Sequence, residues 1–160
     1  MSLDGVFVCL NPDEESKDKL DAFVEKFGLS ERLDPDTYHV TVIYSQTPID
    51  DIPIKKPFTL ATPNSCTGTP VEWEVFPTKT EGKCLVLRID SRYAAALNRV
   101  LLNNGATSTY PSYKCHMTVA YNIKDVIEPS ELPIPDFDLN FTTITWKPLD
   151  ETFVPKNKTT

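Results

Sequence analysis

At 160 residues the chain is sized for one domain over 1–160, with 155–160 as a flexible tail, and a core of that size needs no disulfide framework. Its 23 acidic residues outweigh 16 basic ones for a formal net charge of −7, which excludes a grip on long nucleic acid through many phosphate contacts but leaves room for one or two locally held phosphates. No stretch reaches the ~20 apolar residues of a membrane span and no leader pattern is visible. The four cysteines show no Cys-x-x-Cys spacing, and the combination predicts a cytoplasmic protein with reduced thiols and no membrane partner.

In chain order, Val6–Leu10 reads as a strand. Asn11 as a cap, Pro12 at the first position and the acids Asp13, Glu14 and Glu15 then predict a helix start. Leu20, Phe23, Val24 and Phe27 form one apolar stripe, and Gly28 is placed to end it. Thr37–Tyr44 is the next strand, followed by strands at Phe58–Ala61 and Val71–Phe76. The opening order then returns. Cys84–Ile89 is a strand, Asp90 or Ser91 a cap, and Tyr93, Leu97, Val100 and Leu101 a helical stripe ending near Gly105. A strand around His116 follows, and a last one at Leu139–Trp146. Pro48–Pro57 and Pro129–Pro135 read as loops, and Lys156–Thr160 as a frayed end.

Both histidines of the chain fall in one repeated phrase, His39-Val40-Thr41-Val42-Ile43-Tyr44 and His116-Met117-Thr118-Val119-Ala120-Tyr121. Aligning them also brings the two strand-helix-strand units into order. Strict alternation puts His39, Thr41 and Ile43 on one face and Val40, Val42 and Tyr44 on the other. In the second copy His116 and Thr118 share a face with Lys114, while Cys115, Met117, Val119 and Tyr121 turn toward the helices. Two units related by a pseudo-twofold axis, with their His strands adjacent, would bring two imidazoles and two hydroxyls into one groove.

That set of groups suits phosphodiester cleavage by a neighbouring 2′-hydroxyl. An imidazole with a pKa near ~6.5 can accept a proton from the nucleophile, and a second can donate one to the leaving 5′-oxygen. Threonine hydroxyls donate to non-bridging oxygens without adding a titrating group. No metal or other cofactor is required. A lone His-x-Thr on a strand is usually a surface patch or a satisfied core histidine; two matched copies with matched flanks favour the shared site. Zinc at Cys115 and His116 is disfavoured, since adjacent strand residues point to opposite faces.

The remaining candidates carry less. Lys114, on the His116 face, could neutralise a phosphate or be a solvated strand end. Trp73 shares a face with Val71 and Val75, and Trp146 shares one with Ile144, so core packing is favoured for both over a base-stacking platform in substrate binding. Arg88 is matched to Cys9 when the units are superposed, and either lines the groove or pairs with a carboxylate.

The two His-x-Thr motifs resemble those of the 2H phosphoesterase superfamily, and the resemblance covers Val6–Trp146. Within it, His39 to Ser45 paired with His116 to Tyr121 is most similar to the phage anti-CBASS phosphodiesterases. The resemblance implies an α+β fold of two pseudo-symmetric β-α-β units, with antiparallel strands lining a concave cleft and helices outside. It also implies a metal-independent enzyme that cuts 3′,5′ bonds in the cyclic di- or trinucleotides bacteria use to trigger abortive infection, placing a phage-encoded chain in the host bacterial cytoplasm. His39 and His116 would be base and acid in an order not readable from sequence, and Thr41 and Thr118 the phosphate donors. Products would pass through a 2′,3′-cyclic phosphate to a 3′-phosphate. The alternatives are a 2′,3′-cyclic phosphodiesterase that processes RNA ends, or a sponge that binds a cyclic nucleotide uncut.

Overall fold

The computed structural model describes residues 5–29, 32–50, 54–62, 66–77, 82–108, 112–121, 123 and 128–149; the expected tail lies outside them. The elements run β1 (Val6–Pro12), α1 (Glu14–Glu25), β2 (Val40–Ser45), β3 (Phe58–Ala61), β4 (Thr67–Pro77), β5 (Lys83–Asp90), α2 (Arg92–Asn103), β6 (His116–Ala120) and β7 (Leu139–Pro148), with short 3₁₀ turns at Pro35–Thr37 and Pro129–Glu131. Every strand pairing is antiparallel, in the order β1-β2-β6-β5-β4-β7-β3, and β7 also pairs with β1, which turns the sheet back on itself. The expected α+β architecture is present, with β1-α1-β2 and β5-α2-β6 meeting where β2 touches β6.

One face of the sheet is apolar. Val6, Val8 and Leu10 on β1 and Leu85, Leu87 and Ile89 on β5 are buried at alternate positions, against Leu20 and Val24 of α1 and Ala94 and Leu101 of α2. Fully burying a side chain of this size stabilises the fold by about 1.5–3 kcal/mol, so these matched rows hold each helix to its unit. Cys9, Cys66, Cys84 and Cys115 are free and buried, acting as small apolar residues.

Both helix starts sharpen the expectation. Asn11 and Pro12 do not open α1; they are the last residues of β1, paired with Thr143 and Phe141 of β7. Asp13 is the cap, its carboxylate accepting from the Ser16 amide at 2.8 Å. Ser91 caps α2 by accepting from the Ala94 amide at 3.3 Å. Gly28 and Gly105, with φ of 69° and 99°, end the helices in the left-handed region that favours glycine. The α2 stripe is shifted from the expected one, since Val100 is 53% exposed whereas Asn98 is buried.

Asn98 is buried because it serves the sheet. Along β1 and β2, Val8 pairs with Ile43 and Cys9 with Thr41, so Val42 is an extra residue, a β-bulge. Asn98 donates from Nδ2 to the Val42 carbonyl at 2.8 Å. The second unit repeats the step, Leu85 pairing with Ala120 and Val86 with Thr118, which leaves Val119 as the extra residue. The duplication therefore includes its irregularity. It also corrects the expected alternation: Val42 and Ile43 are both buried, and Tyr44 is 43% exposed on the opposite face from the one foreseen.

Candidate active site

The site is centred on the Val40↔Met117 pair that joins β2 to β6. Both side chains are fully buried on the helix side. Counting outward along antiparallel strands, His39 stands across from Thr118 and Thr41 across from His116. Their side chains share the face away from the helices, because directly opposed residues project the same way. The two His-Thr pairs are thus brought together crosswise, each histidine facing the threonine of the other motif. The bulges lie three positions beyond each histidine, at Val42 and Val119, and leave this pairing intact.

Each imidazole is fixed by the backbone. His39 Nδ1 bonds the Thr37 carbonyl at 2.8 Å, and His116 Nδ1 bonds the Lys114 carbonyl at 2.9 Å. A carbonyl can only accept, so Nδ1 carries the proton in both rings and Nε2 is left to accept or return one. Aromatic edges brace the rings: Phe7 meets His39 with centroids 5.7 Å apart, and Phe76 meets His116 at 5.3 Å. Burial pushes the pKa of His39 below its ordinary value, and the charges of Lys147 and His116 push the same way, against the hydrogen bond that the ring donates to the Thr37 carbonyl. The Tyr113 hydroxyl donates to the Thr41 carbonyl at 2.7 Å, fastening the approach to β6 onto β2. Burial holds that phenol far above its ordinary pKa, so it stays a neutral donor.

The flanks differ. Arg88 pairs directly with His116 and is therefore on the site face, but it is matched to Asn11, not Cys9: Leu10 pairs with Val40 and Leu87 with Met117, and the next residue on each strand is Asn11 or Arg88. Its guanidinium is engaged by Glu72 at 2.6 Å and Glu74 at 3.6 Å. On the His39 side, Asn11 donates to the hydroxyls of Thr143 at 3.0 Å and Thr145 at 2.8 Å, giving a neutral polar flank. Lys114 contributes its carbonyl to His116 and has an exposed side chain.

Neither tryptophan joins the site. Trp73 is 3% exposed, pairs with buried Leu87, and donates from Nε1 to the Pro133 carbonyl at 2.8 Å. Trp146 pairs with buried Val8 and stacks on Phe58 with centroids 6.0 Å apart. Both lie on the sheet face opposite the histidines, since their strand partners are core residues, so neither faces the two imidazoles. Sequence reading missed Phe7, Phe76 and Lys147, whose places depend on which strands pair. Among the described residues no cluster of histidines, cysteines and carboxylates has the makings of a metal centre, and no helix is long and apolar enough to cross a membrane.

A duplicated antiparallel sheet carrying two His-x-Thr motifs has the layout expected of the 2H phosphoesterases. Solved structures share this fold: Escherichia coli LigT complexed with NADP+ aligns with a TM-score of 0.53 at 14% identity over 92% of this chain and 95% of its own. A crystal structure described as a phosphoesterase aligns with 0.51 at 12% identity over 92% and 95%. Residues 4–156 match the family model for anti-CBASS protein Acb1, and the chain belongs to that family. The Acb1 protein of Vibrio phage KVP40 is 30% identical over 125 residues, 78% of this chain and 76% of its own length. That of Enterobacteria phage T4 is 24% identical over 131 residues, 82% and 81% of the two chains.

Proposed function

We propose that this chain hydrolyses the 3′,5′ bonds of cyclic di- or trinucleotide immune signals without a metal, ending at 3′-phosphate products. The carrying observation is that both imidazoles have Nδ1 tied to a backbone carbonyl and stand across from the other motif's threonine on one face. Membership of the anti-CBASS family supports a cyclic oligonucleotide as the substrate, and the acidic chain disfavours long nucleic acid.

The depressed pKa of His39 suits it to be the resting base, leaving the acid to His116. In the first step His39 Nε2 takes the 2′-hydroxyl proton, the 2′-oxygen bonds to phosphorus, the bond to the 5′-oxygen breaks, and His116 Nε2 protonates that oxygen. In the second, His116 takes a proton from water, the water oxygen bonds to phosphorus, the bond to the 2′-oxygen breaks, and His39 returns its proton there. Thr41 and Thr118 donate to the non-bridging oxygens as charge builds on them. Each general acid or base is worth roughly 10²–10⁴ in rate.

The test is incubation with 3′,5′-linked cyclic di- and trinucleotides and a 2′,3′-cyclic mononucleotide, with and without EDTA, reading products by ³¹P NMR. Cleavage of the cyclic oligonucleotides to 3′-phosphates in EDTA is expected. Loss of activity in EDTA refutes the metal-free mechanism, turnover of the mononucleotide alone makes this an RNA-end processor, and ligand recovered intact makes it a sponge. His39→Ala and His116→Ala should each lower turnover by at least about 10²-fold, and a variant near the native rate removes that histidine from the mechanism.

A further inference from the structure

Lys147 is held over the His39 half of the site by the fold itself. On β7 it pairs directly with Phe7 of β1, so the two side chains share the site face, and its ammonium sits 5.0 Å from the centre of the Phe7 ring. The same ring meets His39 edge-on. The charge is felt there, since Lys147 is one of the groups that depress the His39 pKa. Arg88, on the other flank, is neutralised by Glu72 and Glu74. Among the described residues no carboxylate lies within ion-pair distance of Lys147, so its charge is open to a ligand.

The surroundings of His39 leave few other charges to compete. From β1, Cys9 shares the face but burial pushes its thiol up to about 11, so it is neutral. From β6 comes His116, and from β2 the uncharged Thr41. A cation resting on an aromatic face is stabilised without being quenched, and a half-buried ammonium beside a neutral imidazole favours an anion over a second cation.

We infer that Lys147 binds the scissile phosphate of the substrate on the His39 side, with Phe7 as its platform, and that its charge adds to burial in favouring the neutral form of His39. This rests on the two-histidine reading of the site. Phosphate entering beside Lys147 offsets the positive charge, so the cation adds to burial in keeping the free enzyme's base neutral and then serves the bound anion.

The test uses Lys147→Gln and Lys147→Arg in the full chain. Because the protein has two histidines, its imidazole proton NMR signals are few, and His116→Ala assigns them. Lys147→Gln should move the His39 midpoint upward, and with it the acidic limb of kcat/KM, while Lys147→Arg stays near the native values. KM for a cyclic dinucleotide should rise at least ten-fold in Lys147→Gln with a smaller change in kcat, and the arginine variant should recover most of it. Inorganic phosphate should perturb the His39 signal in the native protein and much less in Lys147→Gln. An unmoved His39 midpoint, an unchanged KM, or equal phosphate response in both proteins each overturns the inference. Should the native protein cleave no cyclic nucleotide, the NMR and phosphate measurements still judge Lys147 separately from the proposed activity.

Discussion

Asn98 offers the sharpest test of how the fold supports the site. Its side-chain amide is buried on α2 and donates to the Val42 carbonyl at 2.8 Å, at the residue that the β1 ladder skips. Replacing it by alanine strands that carbonyl away from water, which costs about 1–3 kcal/mol. For a chain of this length each kcal/mol moves the melting temperature by roughly 2–4 °C, so the expected fall is about 2 to 12 °C. Asn98→Asp keeps the shape and replaces the donor with an acceptor, so it should fall at least as far as Asn98→Ala and thereby separates the hydrogen bond from lost volume. Thermal unfolding followed by circular dichroism measures both. If the two variants melt within about a degree of the native protein, the bulge does not depend on Asn98 and its burial needs another explanation.

The pH dependence of stability carries a defined sign. His39 has a folded pKa below its unfolded value of 6.5, so the unfolded chain binds the extra proton first, and stability is lost as pH falls below about 6.5 toward the folded pKa. Melting temperatures across pH 5 to 8 should show that loss in the native protein and a flatter profile in His39→Asn; identical slopes would remove His39 as the cause. Trp73→Phe breaks the bond to the Pro133 carbonyl and should lower stability by about 1–2 kcal/mol in urea titration. It should leave KM for a cyclic dinucleotide within about two-fold, and a large rise in KM would return Trp73 to the binding surface.

Much of the scaffold was legible because local rules and tertiary packing agree. The strands at Phe58–Ala61 and around His116, the two helical stretches and the glycines that end them follow from alternation, stripe and backbone freedom. Asn11 and Pro12 were misread because Asn-Pro before acids is a helix-start pattern, while their actual state is decided by pairing with β7, far along the chain. Val100 and Asn98 exchanged places for a similar reason: a stripe rewards apolar residues, but the buried Val42 carbonyl needed a donor.

The sequence by itself determined the chemistry on offer: two histidines, each two residues ahead of a threonine, in apolar strand-forming runs. Period-two alternation was enough to put each pair on one polar face. Only the tertiary structure decided that the pairs cross, His39 facing Thr118 and His116 facing Thr41, because strand register is set by long-range pairing at Val40 and Met117. It alone also decided where alternation breaks. Val42-Ile43 and Val119-Ala120 are apolar at both positions, so their pattern cannot show a bulge, and Lys147 comes to rest on Phe7, the ring that meets His39, only because β7 folds back onto β1.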